Sequence, residues 1–385
     1  MLLALALAHA EPYALLDAGM TFELPGGWEM TEWSNWDFKG RTLDRSIALD
    51  AWYTPFQLPV TKENASEWAA LYREKLEDMK AVGVTRDTVE VREASGRTTA
   101  FTTMRFTLEK GGPKGAMFVA SFATEGKIMH VATLAVGPNV PRAQSGLDAV
   151  LARLTVQRQP ADTLALGGEV KTELGFSATL PDGWRKPLAI EDEESLKLIG
   201  GLGIGPKDPT TCFRAIHPMP NGEAALMVFC SEPWKMGILD EASFLDEELL
   251  LKQRFFGKAA DKIPAADRLT RTDRLGILLA PEINGKDLRI AALPYDRGTV
   301  VAWGVGEPGT GELLTSSLRS TSMSLAFDGP DGGASVHEAG EWVVHTLTYQ
   351  PWHPAILASV ALFLGVLAGV GYVVFRKPAH PPMHH

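Results

Sequence analysis

Apolar and polar residues alternate over several stretches of this chain, and in one stretch the apolar ones fall at helical spacing. Trp68, Leu71, Tyr72, Leu76 and Met79 occupy i, i+3, i+4, i+8 and i+11, a stripe that predicts a helix packed on a sheet. Asn64 with Glu67 predicts a capping-box start, and Gly83 an end. Ahead of this helix, residues 46–53 alternate as a strand that stops near Pro55. Behind it, residues 98–109, 116–124 and 127–136 read as three strands, with Met104, Phe106 and Leu108 on one face of the first. The breaks at Gly111-Gly112-Pro113 and Glu125-Gly126 are too short for parallel crossovers, so the strands form an antiparallel meander. Leu147, Val150, Leu151 and Leu154 predict a short helix over residues 146–154. Trp33, Trp36 and Phe38 fall in a polar loop, where Trp33 and Trp36 form a candidate docking patch.

The same order returns later. Gly19 to Trp28 carries a Gly, then Leu24-Pro25, then Gly27-Trp28; Gly175, Leu180-Pro181 and Gly183-Trp184 repeat them at an offset of 156. That period is far longer than the roughly 20–50 residues of a solenoid unit, so it reads as a duplicated domain. Leu245, Leu249 and Phe256 mark a helix over 241–256, residues 275–281, 288–293 and 299–304 three strands, and residues 313–318 a closing helix. The turn Asp296-Arg297-Gly298 matches Thr124-Glu125-Gly126 at an offset of 172. The second copy therefore holds about sixteen extra residues, placed in a hairpin over 211–230 turned by Pro220-Asn221-Gly222. The expected class is α+β: domains over 19–159 and 172–326, each an antiparallel sheet with helices on one face, opened by an anchoring Trp28 or Trp184.

Cys212 and Cys230 are equidistant from Asn221, which places them opposite or one position off across the predicted hairpin. In an exported chain this favours a disulfide; two free core thiols, or a register that leaves the Cβ atoms too far apart, are the alternatives. Export is suggested by residues 1–10, an apolar run closing on Ala8-His9-Ala10, the small-x-small pattern of a signal cleavage site. The run is short and has no basic start, as when a start codon is assigned too far downstream; a buried N-terminal segment is the other reading.

Residues 355–375 carry no charge, and a transmembrane helix is expected over 353–375. Tyr349, Trp352 and Tyr372 sit at its edges, and Arg376 and Lys377 follow. The positive-inside rule makes 376–385 a cytoplasmic tail and leaves the domains, with a stalk over 327–352, on the periplasmic or extracellular side of the cell (inner) membrane. Gly365 and Gly369 form a GxxxG through which two spans could pack as a homodimer. The composition, 45% hydrophobic and 22% charged, is globular, and a net charge of −10 argues against a nucleic-acid partner.

With its Leu-Pro-x-Gly-Trp opening followed by strand, helix, meander and short helix, each copy resembles the PsbP-like superfamily. The resemblance implies α-β-α sandwich domains that act as binding or accessory modules on an envelope or membrane complex. It brings no general catalytic residues. The chain departs from that pattern by tandem duplication and by its C-terminal membrane helix.

No GxSxG elbow, HExxH or Walker loop occurs. The run Gly200-Gly201-Leu202-Gly203-Ile204-Gly205 lacks dinucleotide-binding spacing and reads as a loose strand or turn. Glu191-Asp192-Glu193-Glu194 reads as a solvated loop, with a calcium site as the alternative. His130 and His217 read as structural, and His380, His384 and His385 as at most a weak metal-binding tail. No catalytic residue, cofactor or metal is predicted. The expected function is a membrane-anchored exported protein that binds a partner protein or small ligand. An accessory subunit of a secretion or transport complex and a hydrolase with an unrecognised site are the alternatives.

Overall fold

The computed structural model describes residues 13–327, apart from residues 36, 162–163, 165, 201, 203–211, 233–235, 239–240, 272–274 and 296–297. Trp36, Ala8, Ala10, Gly365, Gly369, the stalk, the expected span and the tail lie outside the described residues. No helix among the described residues is long and apolar enough to cross a membrane.

The first half runs β1 (Tyr13–Leu15), β2 (Met20–Phe22), β3 (Trp28–Trp33), β4 (Asp37–Thr42), β5 (Ile47–Pro55), α1 (Lys62–Asp78), β6 (Ala81–Ala94), β7 (Arg97–Leu108), β8 (Lys114–Thr124), β9 (Lys127–Val136), α2 (Val140–Leu151) and β10 (Leu154–Val156). The second half runs β11 (Gly168–Lys171), β12 (Phe176–Leu180), α3 (Asp192–Gly200), β13 (Phe213–Pro218), β14 (Ala224–Glu232), α4 (Glu241–Phe256), β15 (Asp267–Thr270), β16 (Leu275–Leu279), β17 (Glu282–Ile283), β18 (Lys286–Tyr295), β19 (Gly298–Gly306), α5 (Gly311–Ser324) and β20 (Ala326–Phe327). One seven-stranded sheet has the order β3-β4-β5-β9-β8-β7-β6; another has β13-β14-β19-β18-β16-β15, with β17 paired to β18. By compactness the chain divides into a larger unit (Met1–Cys230, Leu279–Ala291, Ala302–Ala326) and a smaller one (Ser231–Leu278, Ala292–Val301, Phe327–His385).

The repeated opening is one turn made twice. Trp28 N donates to Pro25 O and Trp184 N to Pro181 O, both at 3.2 Å. The third residue of each turn has positive φ, +87° at Gly27 and +83° at Gly183, which glycine adopts without a Cβ clash.

In the first half the helices lie on opposite faces of the sheet, not on one. Ala65, Trp68, Tyr72 and Leu76 of α1 pack with Met104, Met117 and Val119. Ala143, Leu147 and Val150 of α2 pack with Ala116, Phe118 and Phe122, together with Met20 and Phe22 of β2. Strand side chains alternate between faces, so β8, buried along nearly its whole length, serves both cores. Helix α1 begins at Lys62, capped by Thr61, whose side chain accepts from Asn64 N. It ends at Asp78, and Gly83 lies within β6. Met79, expected in the buried stripe, is 45% exposed, because it falls just past the last turn. Helix α2 is longer than expected, and Leu154 belongs to β10 instead.

Three strands are hidden in the sequence by their polarity. Trp28–Trp33 and Asp37–Thr42 are not loop but the strands of the β3–β4 hairpin, tied across by Lys39–Glu32 (2.7 Å) and Arg41–Glu29 (2.6 Å). Edge strand β6 is mostly exposed and shifts register twice, which erases clean alternation and blunts a sheet edge.

The extra residues of the second half are also not in the hairpin. β13 and β14 occupy the positions of β4 and β5 in the sheet order. The additional segment lies before β13 and includes α3; where β3 would pair, the described residues show an isolated bridge from Arg185 to Ile216. Helix α4 has the expected bounds but the opposite face: Leu245 and Leu249 are 55% and 45% exposed, while Phe244 and Leu251 are buried.

Phe213 pairs with Phe229 across the β13–β14 hairpin, so Cys212 and Cys230 stand opposite each other and are joined by a disulfide with Cα atoms 4.7 Å apart. Replacing both with serine is expected to cost about 3 kcal/mol, the loop-closure value for an 18-residue separation, read as a lower urea midpoint than that of the oxidised chain.

Candidate functional site

Two features of the larger unit bring residues of the first and second halves together. One is a sealed polar lock. Arg185 and Glu191 are each 2% exposed and form a bidentate pair, Nη1 to Oε2 at 2.6 Å and Nη2 to Oε1 at 2.7 Å. Arg185 Nη2 also donates to Gln57 O at 2.8 Å, and Glu191 accepts from Gln57 N (2.8 Å) and Leu188 N (2.7 Å). The Gln57 side chain bonds Ala161 through both its donor and its acceptor and accepts from Gly126 N. Glu191 is therefore not part of a solvated acidic loop. Burial of a carboxylate demands a paired cation and satisfied lone pairs, and both are present. No motif announced Gln57; the one sequence signal for Arg185 was a cation directly after the repeated Trp.

The other feature is an open groove of about 810 Å³ whose lining includes Glu67, Ala70 and Arg73 of α1, Arg86 of β6 and Pro220-Asn221 of the β13–β14 turn. That turn lies against the end of β5: a Cβ built on Gly222 would stand 3.0 Å from Thr54 Cβ. Arg86 Nη1 is held by Ser66 O at 3.0 Å, whereas the exposed Arg73 has no polar partner among the described residues. The groove thus offers one engaged and one free guanidinium beside small and polar side chains, a surface able to receive an anionic or acceptor-rich group.

A Ser-His-Tyr cluster exists but is closed. His130, Tyr72 and Ser121 are fully buried, with Nδ1 of His130 3.0 Å from Tyr72 Oη and 2.9 Å from Ser121 Oγ. Trp52 stacks on the imidazole and Trp68 meets it edge-on. Burial pushes the His130 pKa down to about 3 and the Tyr72 pKa up. With water excluded, and with Tyr72 Oη also 2.7 Å from Ser121 Oγ so that the two hydroxyls and Nδ1 bond one another, the cluster is a packed polar network rather than a reachable nucleophile.

The pH consequences have opposite signs. His130 is neutral in the fold, so its contribution is complete above pH 6.5 and declines as pH falls from 6.5 toward 3, by about 1.4 kcal/mol per unit. Stability titrated by urea unfolding should show that acid limb, and His130→Gln should flatten it. Glu247 Oε1 accepts from Gly237 N, and burial raises the Glu247 pKa to about 7. Its contribution is complete below pH 4.5 and is lost as pH rises through 7.

Trp33 of the expected patch is 49% exposed, donates to Ala14 O at 2.9 Å and meets Tyr13 edge-on, whereas the neighbouring Phe38 is buried in the core. His217 lies against Trp184, with ring centroids 5.5 Å apart. Among the described residues no group of three His, Cys, Asp or Glu could hold a metal ion.

The described fold is mixed α+β, built on antiparallel sheets with a few helices. No protein-family model and no curated protein sequence matches the chain. Among solved structures it is similar to cyanobacterial PsbP from Synechocystis, at 16% identity and a TM-score of 0.31, over 38% of this chain and 91% of that one. It is similar to the Ran-binding protein Mog1p of Saccharomyces cerevisiae at 7% identity and a TM-score of 0.29, over 38% and 95%. A protein of Bacteroides thetaiotaomicron matches at 10% identity and a TM-score of 0.27, over 74% and 85%. Likenesses at these levels assign neither a family nor an activity to this chain.

Proposed function

We propose that this chain is an exported binding protein, built of tandem PsbP-like α-β-α sandwich domains and held at the membrane by a helix over residues 353–375. The anchor rests on the uncharged run 355–375 with Arg376 and Lys377 behind it, and export on the Ala8-His9-Ala10 pattern. The observation that carries the binding reading is the groove between α1, β6 and the β13–β14 turn, with Arg73 free at its edge. Its ligand is a partner protein presenting a carboxylate or carbonyl-rich segment to Arg73. The hydrolase reading has less support, because the His130 cluster is sealed from substrate.

The test places a photo-crosslinking residue at the exposed Ala70 of the full-length chain in cells. The expected result is a discrete adduct with another protein, lost on Arg73→Glu while the thermal midpoint is unchanged. Crosslinks only within the chain, or an adduct indifferent to Arg73→Glu, would overturn the reading.

A further inference from the structure

The two repeated tryptophans end in different states. Trp184 is fully buried, and its Nε1 donates to Ser317 Oγ of α5 at 2.9 Å. Trp28 is half-buried, and its Nε1 finds no acceptor among the described residues. The difference comes from one helix position. Ser317 precedes the buried Leu318, and the residue that precedes the equivalent buried Leu147 of α2 is Gly146. Glycine supplies no hydroxyl, and a Cβ there would lie 2.9 Å from Trp28 Cζ2. The indole stands instead beside an open cleft of about 600 Å³, walled by Leu43, Ile47 and Pro141 and backed by Gly26, Gly27 and Gly146. Leu43 is 65% exposed there.

The rim is already neutral. Both terminal nitrogens of Arg142 reach Asp44 Oδ2, at 3.1 and 3.2 Å, and Asp44 also accepts from Thr42 and Ser46. A charged ligand would have to displace one member of this pair. The occupant therefore needs no net charge, a flat apolar face for the indole, and an acceptor for the indole N–H.

We infer that the Trp28 cleft is a second binding site, taking an uncharged proline-containing segment of a partner protein. A pyrrolidine ring gives the flat apolar face. The carbonyl before a proline has no competing N–H beside it, and a polyproline II segment is already extended and loses little entropy on docking. The cleft shares no lining residue with the Arg73 groove, so the two sites fail independently.

The probe is an end-capped, dye-labelled decaproline peptide, measured by fluorescence polarisation against the full chain in detergent micelles. Saturable binding is expected, weakened about tenfold by Trp28→Phe, which keeps a smaller aromatic face and removes the donor. Gly146→Ser, whose added Cβ would meet Trp28 Cζ2 at 2.9 Å and so must push the indole out of its present place, should weaken it by at least as much, while Arg73→Glu leaves it intact. No saturable binding to the unaltered chain, binding indifferent to Trp28→Phe and Gly146→Ser, or equal binding of a capped proline-free peptide would overturn the inference.

Discussion

Glu191→Ala is expected to destabilise the chain by about 3–5 kcal/mol, among the largest effects of any single side chain here. The substitution leaves the Arg185 guanidinium at 2% exposure without its counter-ion and removes the acceptor of Gln57 N and Leu188 N. Arg185→Ala should cost a similar amount, because it strands the Glu191 carboxylate. The pair also contacts the Gln57 backbone, so the loss should appear in the first half as well, as faster amide exchange at Gln57 and Gly126. Arg185→Met with Glu191→Leu should cost clearly less than the sum of the single changes, since no buried charge is then left uncompensated. Additive urea-unfolding energies for the two sites would show that they do not act as a pair.

Trp184→Ala is expected to cost about 3–5 kcal/mol, and Trp28→Ala distinctly less. Both residues close the same Pro-x-Gly-Trp turn, and sequence alone gives them equal weight. The structure separates them. Trp184 is enclosed, touches His217 and satisfies its N–H on Ser317, so its removal leaves a cavity and an unpaired hydroxyl. Around Trp28 one side is already open, and solvent can fill part of the space. Equal losses in urea denaturation would refute this asymmetry.

Elements with a buried face were legible in the sequence. The meander β7–β8–β9 is legible because Met104 and Phe106 alternate and its turns are short. Helix α1 is legible from Trp68, Tyr72 and Leu76, which are all buried. The β3–β4 hairpin and edge strand β6 leave no such pattern, because strands held by cross-strand ion pairs or lying at an edge need no apolar alternation. The stripe Leu245, Leu249 and Phe256 located α4 correctly yet gave the wrong face, since Phe244 and Leu251 are the buried pair and Glu247 and Glu248 sit beside them. Periodicity reports that an apolar stripe exists, not which of two stripes meets the core.

By itself the sequence determined the repeated Pro-x-Gly-Trp turn, because only glycine adopts its backbone cheaply. It also determined the antiparallel class and the cysteine pair flanking Pro220-Asn221-Gly222. These are local consequences of short loops and side-chain period. Only the tertiary structure decided that Arg185 and Glu191 lock onto Gln57, more than a hundred residues away along the chain, and that the Arg73 groove forms beside the hairpin turn. It alone separated a closed Trp184 from an open Trp28, because that depends on whether the helix packed against each indole presents Ser317 or Gly146.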